Sequence, residues 1–280
     1  MSPLTDEVLK LEGVWRRYRR WKRRPVSLKE ALVRLMNRDG LAYEDFWALQ
    51  DISLAVCRGE IIGICGANGS GKSTLLKIIA RIVPATYGHI IVRERIATLL
   101  ELGSGFLPEL SGRENITLNG AIMGISDADM AGKTASIIEF ADIGKFIDSP
   151  VKIYSSGMYM RLGFAIASHI EADILLLDEM LGVGDVEFKK KCLTWLHQLR
   201  QKGVTVLLVS HDLPTLFDMC DRVIWLDKGC ITAEGKPGEV LTQYCPEAVL
   251  PIHKNLYGIR DGRSYALTGD SRRQTGLEDR

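Results

Sequence analysis

Long apolar runs are missing from this 280-residue chain. Its longer ones, such as ILLL at residues 174–177 and VTVLLV at 204–209, fall far short of the about 20 residues a membrane-spanning helix needs. A charge excess is missing too. The 36 Lys and Arg against 35 Asp and Glu leave a net charge of +1, so nothing global points to nucleic acid or a lipid surface. Cysteines at metal-ligand spacing are also absent. Cys57, Cys65, Cys192, Cys220, Cys230 and Cys245 form no C-x-x-C and read as reduced thiols, not as a zinc site or a disulfide framework. The opening MSPLTDE has no signal-peptide character. Together these absences predict a cytosolic chain with no nucleic-acid partner, which reaches a membrane only through another protein.

What is present is an ordinary globular composition, 46% hydrophobic and 25% charged, in a length that suits one large domain. Within it the run Gly66-Ala67-Asn68-Gly69-Ser70-Gly71-Lys72-Ser73 fits G-x-x-x-x-G-K-[ST]. Residues 61–65 (IIGIC) read as a buried strand before it, and residues 74–80 (TLLKIIA) as the helix after it. Glycines let the backbone fold its N–H groups around an anion, and the helix N-terminus adds the positive end of its dipole. Lys72 would reach the β- and γ-phosphates of a nucleoside triphosphate, and the Ser73 hydroxyl would ligate Mg²⁺. A glycine-rich turn without a ligand is the bland alternative, and the strand–loop–helix setting disfavours it.

The rest of the chain is organised around that loop. A strand begins at residues 8–12 (VLKLE) and ends near Tyr18, and residues 46–56 resume strand character. Between them Ser27 and Glu30 form a capping box. Leu28, Ala31, Leu32, Leu35 and Met36 follow at helical spacing, which predicts an amphipathic helix over 27–38. Residues 114–170 read as mainly helical, with breaks at Gly124, Gly144 and Pro150. The apolar runs at 174–177 and 204–209 suit parallel strands covered on both faces, and residues 186–200 make a helix between them. This alternation argues for an α/β core. Past Pro246 the apolar periodicity fades, and a loosely held tail is expected.

The first apolar run ends in Asp178 and Glu179. Beside a phosphate loop, Asp178 would hold Mg²⁺ and Glu179 would polarise an attacking water as general base; alone, the pair could be acidic residues at a helix start. The second run leads to Ser210, His211 and Asp212 at the same sheet edge, where ligands of such folds gather.

Taken in order, these motifs resemble the nucleotide-binding subunits of ATP-binding cassette (ABC) transporters over most of residues 8–245. The fold implied is a phosphate-loop parallel-sheet core with an N-terminal antiparallel β subdomain and a helical subdomain at about 105–170. The resemblance puts Tyr18 where an aromatic ring stacks on adenine. Tyr154-Ser155-Ser156-Gly157-Met158, followed by Arg161, stands at the L-S-G-G-Q signature. Asp185 falls in the D-loop and His211 at the switch histidine. It also implies two ATP sites, each shared between two copies, with Ser155 and Gly157 of one copy closing over the phosphates held by Gly66, Asn68, Gly69, Ser70, Gly71, Lys72, Ser73 and Thr74 of the other.

Three departures narrow the resemblance. The signature reads Y-S-S-G-M, residues 99–115 lack the expected glutamine, and the 27–38 helix is an insert. With G-F-L-P-E-L-S-G-R-E-N at 105–115 and L-G-V-G-D-V-E-F at 181–188, they resemble the exporters of O-antigen, capsule and teichoic acid. That implies ATP hydrolysis driving export of a lipid-linked polysaccharide, an integral-membrane permease partner, and a peripheral place on the cytoplasmic face of the inner membrane. Glu101 is the nearest polar stand-in for the missing glutamine and joins Ser73 and Asp178 as a metal-site candidate. Residues 103–110 would form the groove that receives the permease. The expected extent is 1–245 for the ATPase domain and 246–280 for a tail too short for a glycan-recognising β-sandwich.

Two readings stay open elsewhere. Seven Arg and Lys residues between Arg16 and Arg24, interleaved with Tyr18 and Trp21, form either a solvated strand edge or a face for anionic headgroups or a lipid pyrophosphate. The chain could also serve another ABC transporter, or be a soluble non-transport ABC ATPase, although it has a single phosphate loop and no sustained heptads.

Overall fold

The computed structural model describes residues 6–21, 43–100, 103–179 and 185–247. The expected helix over 27–38, Glu101, the basic residues 22–24 and the tail beyond 247 lie outside the described residues.

Two sheets share one layered core. Strands β1 (Glu7–Trp21), β2 (Tyr43–Cys57) and β4 (Tyr87–Val92) form an antiparallel sheet in the order β2-β1-β4. The second sheet runs β5 (Ile96–Leu99), β6 (Ile174–Asp178), β7 (Thr205–Val209), β3 (Ile61–Cys65), β8 (Arg222–Asp227), β9 (Cys230–Gly235). Its first five strands are parallel and β9 closes the edge antiparallel. β1 runs three residues past Tyr18, its expected end, because Arg19, Arg20 and Trp21 pair with Asp45, Glu44 and Tyr43.

Alternating side chains of the parallel strands feed opposite cores, as the pleat requires. Ile62, Ile64, Ile174, Leu176, Leu207 and Val209 pack with Leu9, Leu49 and Ile52 of the antiparallel sheet and with helix α1 (Lys72–Ile79). On the other face Ile61, Leu175, Leu177, Val206 and Leu208 meet Phe188, Trp195, Leu216 and Leu241. Those four come from helices α5 (Val186–Gln201), α6 (Leu213–Met219) and α7 (Pro237–Tyr244). Truncating such a fully buried leucine to alanine costs about 2–5 kcal/mol.

A third cluster belongs to helices α2 (Gly112–Ile122), α3 (Asp127–Ala141) and α4 (Ser156–Ser168), where Ile116, Ile137, Leu162 and Ile166 meet. Each of these helices begins at a serine whose hydroxyl accepts a backbone N–H, and Ser111 with Glu114 forms a reciprocal capping box. The letters S-G-R-E therefore have a local physical reason besides their family likeness. α4 also turns Phe164 and Ala167 into the main core, so it is shared between the helical layer and the sheet.

Candidate active site

Register brings the motifs together. Ile64 of β3 stands opposite Val209 of β7, and Val209 opposite Asp178 of β6. Three neighbouring parallel strands thus end at nearly one level, and the loops that leave them carry Gly66, Glu179 and His211 to the same edge.

The phosphate loop is shaped by contacts that only glycine permits. Gly66 has φ +146°, and a Cβ there would lie 2.1 Å from the Leu226 carbonyl oxygen. Gly71 has φ +110°, and its Cβ would sit 2.6 Å from the Ala48 carbonyl. Gly71 is also the N-cap of α1, with no side-chain cap and no acidic residue in the first turn. α2 to α5, by contrast, all carry a serine or aspartate side chain at that position. The first N–H groups of α1 are therefore left for an anion. Lys72, only 5% exposed, donates from Nζ to the carbonyls of Gly66 at 2.8 Å and Ala67 at 3.1 Å. Its ammonium is held inside the loop's curl.

A hollow of about 260 Å³ opens beside this loop. Tyr18 and Phe46 of the antiparallel sheet line it together with Asn68, Gly69, Gly71, Lys72, Ser73 and Thr74 of the phosphate loop and with Glu179. Tyr18 faces Phe46 across β1 and β2, while the Arg16 guanidinium lies 4.5 Å from the Tyr18 ring centroid. Phe46, 54% exposed, is a site residue that the sequence alone did not single out; only the β1–β2 register sets it opposite Tyr18. A larger hollow of about 530 Å³ near Arg81, Arg93 and Asp173 contains none of the motif residues, so chemistry, not size, identifies the site.

Asp178 keeps a buried carboxylate oxygen, Oδ1, without a hydrogen-bond partner. Such an atom is costly to bury unless a ligand satisfies it, which fits a cation beside the exposed Ser73 hydroxyl. Glu179 adopts φ +51°, an unusual conformation for a side chain of its size, while its N–H donates to the Val209 carbonyl at 2.9 Å. This turn swings the carboxylate toward His211, whose Nε2 is 2.6 Å from Glu179 Oε1.

The remaining expected residues gather elsewhere. Ser155 caps α4, accepting the Met158 N–H at 3.2 Å. Gly157 has only Ser155 Oγ near its virtual Cβ, at 3.9 Å. Asp185 caps α5 through Phe188 N and receives Arg161 at 2.5 Å. These two interactions, the backbone bond foremost, hold its carboxyl below the usual range. Ser155, Gly157, Arg161 and Asp185 line a separate hollow of about 340 Å³ that shares no residue with the phosphate-loop hollow.

The described part of the basic stretch, Arg16 to Arg20, is ion-paired or hydrogen-bonded. Arg17 and Arg19 pair with Asp45, Arg20 pairs with Glu44, and Arg16 donates to the Pro84 carbonyl. Among the described residues this is a salt-bridged strand edge. No described helix is long and apolar enough to cross a membrane.

Residues 49–182 match the family described as ABC transporter. The chain is 48% identical over 197 residues to the O-antigen export system ATP-binding protein RfbB of Myxococcus xanthus, covering 70% of this chain and 45% of that protein. It is 42% identical over 199 residues to the protein so named in Klebsiella pneumoniae, covering 71% of this chain and 81% of that one. The teichoic acids export ATP-binding protein TagH of Lactococcus lactis is 42% identical over 218 residues, 78% of this chain and 47% of its own length. The chain thus spans about half the length of two of these three relatives. In fold it is similar to a dimeric ATP-binding cassette solved in a post-hydrolysis state with ADP and Pi. That likeness has a TM-score of 0.66 at 23% identity and covers 82% of this chain and 98% of the cassette. The Klebsiella pneumoniae relative, 42% identical and covered over four-fifths of its length, together with the family match fixes the membership: the chain belongs to the ABC transporter family and carries its ATP-binding cassette.

Proposed function

We propose that this chain is the ATP-hydrolysing subunit of an exporter that moves a lipid-linked polysaccharide of the O-antigen, capsule or teichoic-acid type across the cytoplasmic membrane. The relatives' names, O-antigen export and teichoic acids export, support the substrate class. In this reading the chain sits peripherally on the cytoplasmic face, pairs with a second copy, and docks on an integral-membrane permease through residues 103–110. Residues 1–245 are taken as the cassette and 246–280 as its tail.

One observation carries the reading of a shared site. The phosphate-loop hollow holds Tyr18, Lys72 and Glu179, whereas Ser155, Gly157 and Asp185 line a different hollow of the same chain. Two half-sites on one molecule become whole when two copies pack about a twofold axis, so that each half-site meets its complement on the other copy. Tyr18 and Phe46 would then hold the purine ring, and the α1 N-terminus and Lys72 the phosphate tail.

Ser73 and Asp178, with Glu101 as a third candidate, would hold Mg²⁺, which when bound offsets the negative charge of the β- and γ-phosphates. Glu179 takes a proton from the attacking water as general base. His211, bonded to its Oε1, holds that carboxylate in place. Ser155 and the first N–H groups of α4 from the second copy face the γ-phosphate and stabilise charge as it develops. Closure of the pair on ATP moves the permease, and hydrolysis reopens it.

The test is export itself. In a strain lacking this chain, the polysaccharide should vanish from the cell surface and its lipid-linked form should accumulate inside. Wild-type chain should restore export and Glu179→Gln should not. Surface polysaccharide that persists without the chain would overturn the substrate assignment.

A further inference from the structure

The Ser155 half-site and the Glu179 half-site have no lining residue in common, yet two ion pairs joined by the first turn of α5 lead from one to the other inside one chain. Arg161 projects from α4 one turn beyond the signature residues and grips Asp185 Oδ2, while its guanidinium stacks 5.2 Å from the Phe188 ring centroid. Asp185 caps α5. Lys189 lies four residues on, hence on the same face of that helix, and its backbone N–H donates to the Asp185 carbonyl at 3.0 Å. The Lys189 ammonium then reaches Asp212 Oδ2 at 2.5 Å. Thr215, itself buried, donates to the same oxygen at 3.0 Å, and the Asp212 N–H donates to buried Ser210 Oγ at 3.0 Å. His211, set between Ser210 and Asp212, points its Nε2 at Glu179.

We infer that the first turn of α5 is an intrachain link, in which Arg161 and Lys189 act as positioning residues that set His211 against Glu179 according to where α4 stands. Three features support this over simple surface pairing. α4 is packed into both the helical cluster and the main core through Leu162 and Phe164, so Arg161 moves only as α4 moves. Asp185 and Asp212 each combine an ion pair with a second hydrogen bond, which fixes direction as well as distance. And the bond from the Asp212 N–H to Ser210 Oγ spans His211, so a change at Asp212 is felt at the imidazole. The link rests on the proposed hydrolytic role but is not tested by it alone.

The experiment uses the full chain. Lys189→Met and Arg161→Met should each lower kcat for ATP about tenfold with KM within about twofold. The double variant should fall no further than the worse single variant, and Lys189→Arg should recover most of the loss. In ATP-free protein the His211 ring resonance, assigned by its loss in His211→Gln among the five histidines, should shift in both methionine variants. An unmoved resonance in either, or a double variant whose loss is the product of the two, overturns the link. Should Lys189→Met fail to fold, Asp212→Asn reads the same step from its other end. If the wild-type chain hydrolyses no ATP, the proposed function falls while the resonance still decides the link.

Discussion

His211 and Glu179 meet across neighbouring strands, imidazole Nε2 to carboxylate Oε1 at 2.6 Å, although 32 residues separate them in the chain. The contact exists because β6 and β7 pair with Asp178 opposite Val209, and because Glu179 takes a left-handed turn immediately after its strand. His211→Ala leaves the hollow around Lys72 untouched. It should therefore lower kcat by about 10²–10³ with nucleotide affinity little changed, as steady-state hydrolysis and binding of a fluorescent ATP analogue would measure.

The glycines of the phosphate loop should separate by their surroundings. Gly66→Ala puts a methyl 2.1 Å from the backbone oxygen of Leu226, which cannot move away. Gly69→Ala, at φ +80°, meets no atom within 4 Å and bears only the left-handed strain, about 1 kcal/mol. Urea unfolding should show Gly66→Ala destabilised by several times the Gly69→Ala loss.

Thiol reactivity should divide five of the six cysteines. Burial pushes the Cys65 and Cys192 thiols up to about 12 and raises Cys220 as well, so all three stay protonated and inert near neutral pH. Cys57 and Cys230 are exposed. Mass spectrometry after brief alkylation of the native chain should find label on Cys57 and Cys230, with Cys65, Cys192 and Cys220 labelled only in denaturant.

Asp212 should contribute to acid lability. Burial opposes its ionisation, yet Lys189 and Thr215 hydrogen bonds hold its carboxyl below the usual range. A carboxyl depressed in the folded chain contributes stability that is present above its unfolded value, about 3.9, and lost as pH falls through the folded value. Asp212→Asn should thus be less stable than wild type at pH 7, with the gap narrowing below about pH 4 when melting is followed against pH.

Much of this was legible because the parallel strands are covered on both faces, so ILLL and VTVLLV announce themselves as apolar runs and deliver Asp178 and His211 to a common edge. The phosphate loop was legible because its residues are contiguous in the chain, although the contacts that exclude a Cβ at Gly66 and Gly71 come from distant Leu226 and Ala48. Phe46 was not legible, because its role comes from facing Tyr18, 28 positions away, across a strand pair. Likewise the sequence left open whether Arg17, Arg19 and Arg20 make a solvated strand edge or a face for anions, because Asp45 and Glu44 come against them only through the β1–β2 register. The Arg161–Asp185 and Lys189–Asp212 contacts are tertiary, and no spacing in the sequence encodes them.

The division of one ATP site between two copies is the centre of this account, and mixing two inactive variants tests it most directly. Lys72→Ala disables the phosphate loop and Ser155→Arg the signature, so each variant alone should hydrolyse no ATP. In a mixed pair both lesions fall on one site and the other site is intact. With half the pairs mixed and one of two sites working in each, the mixture should recover about a quarter of the wild-type rate. A mixture no more active than its components would contradict the shared site.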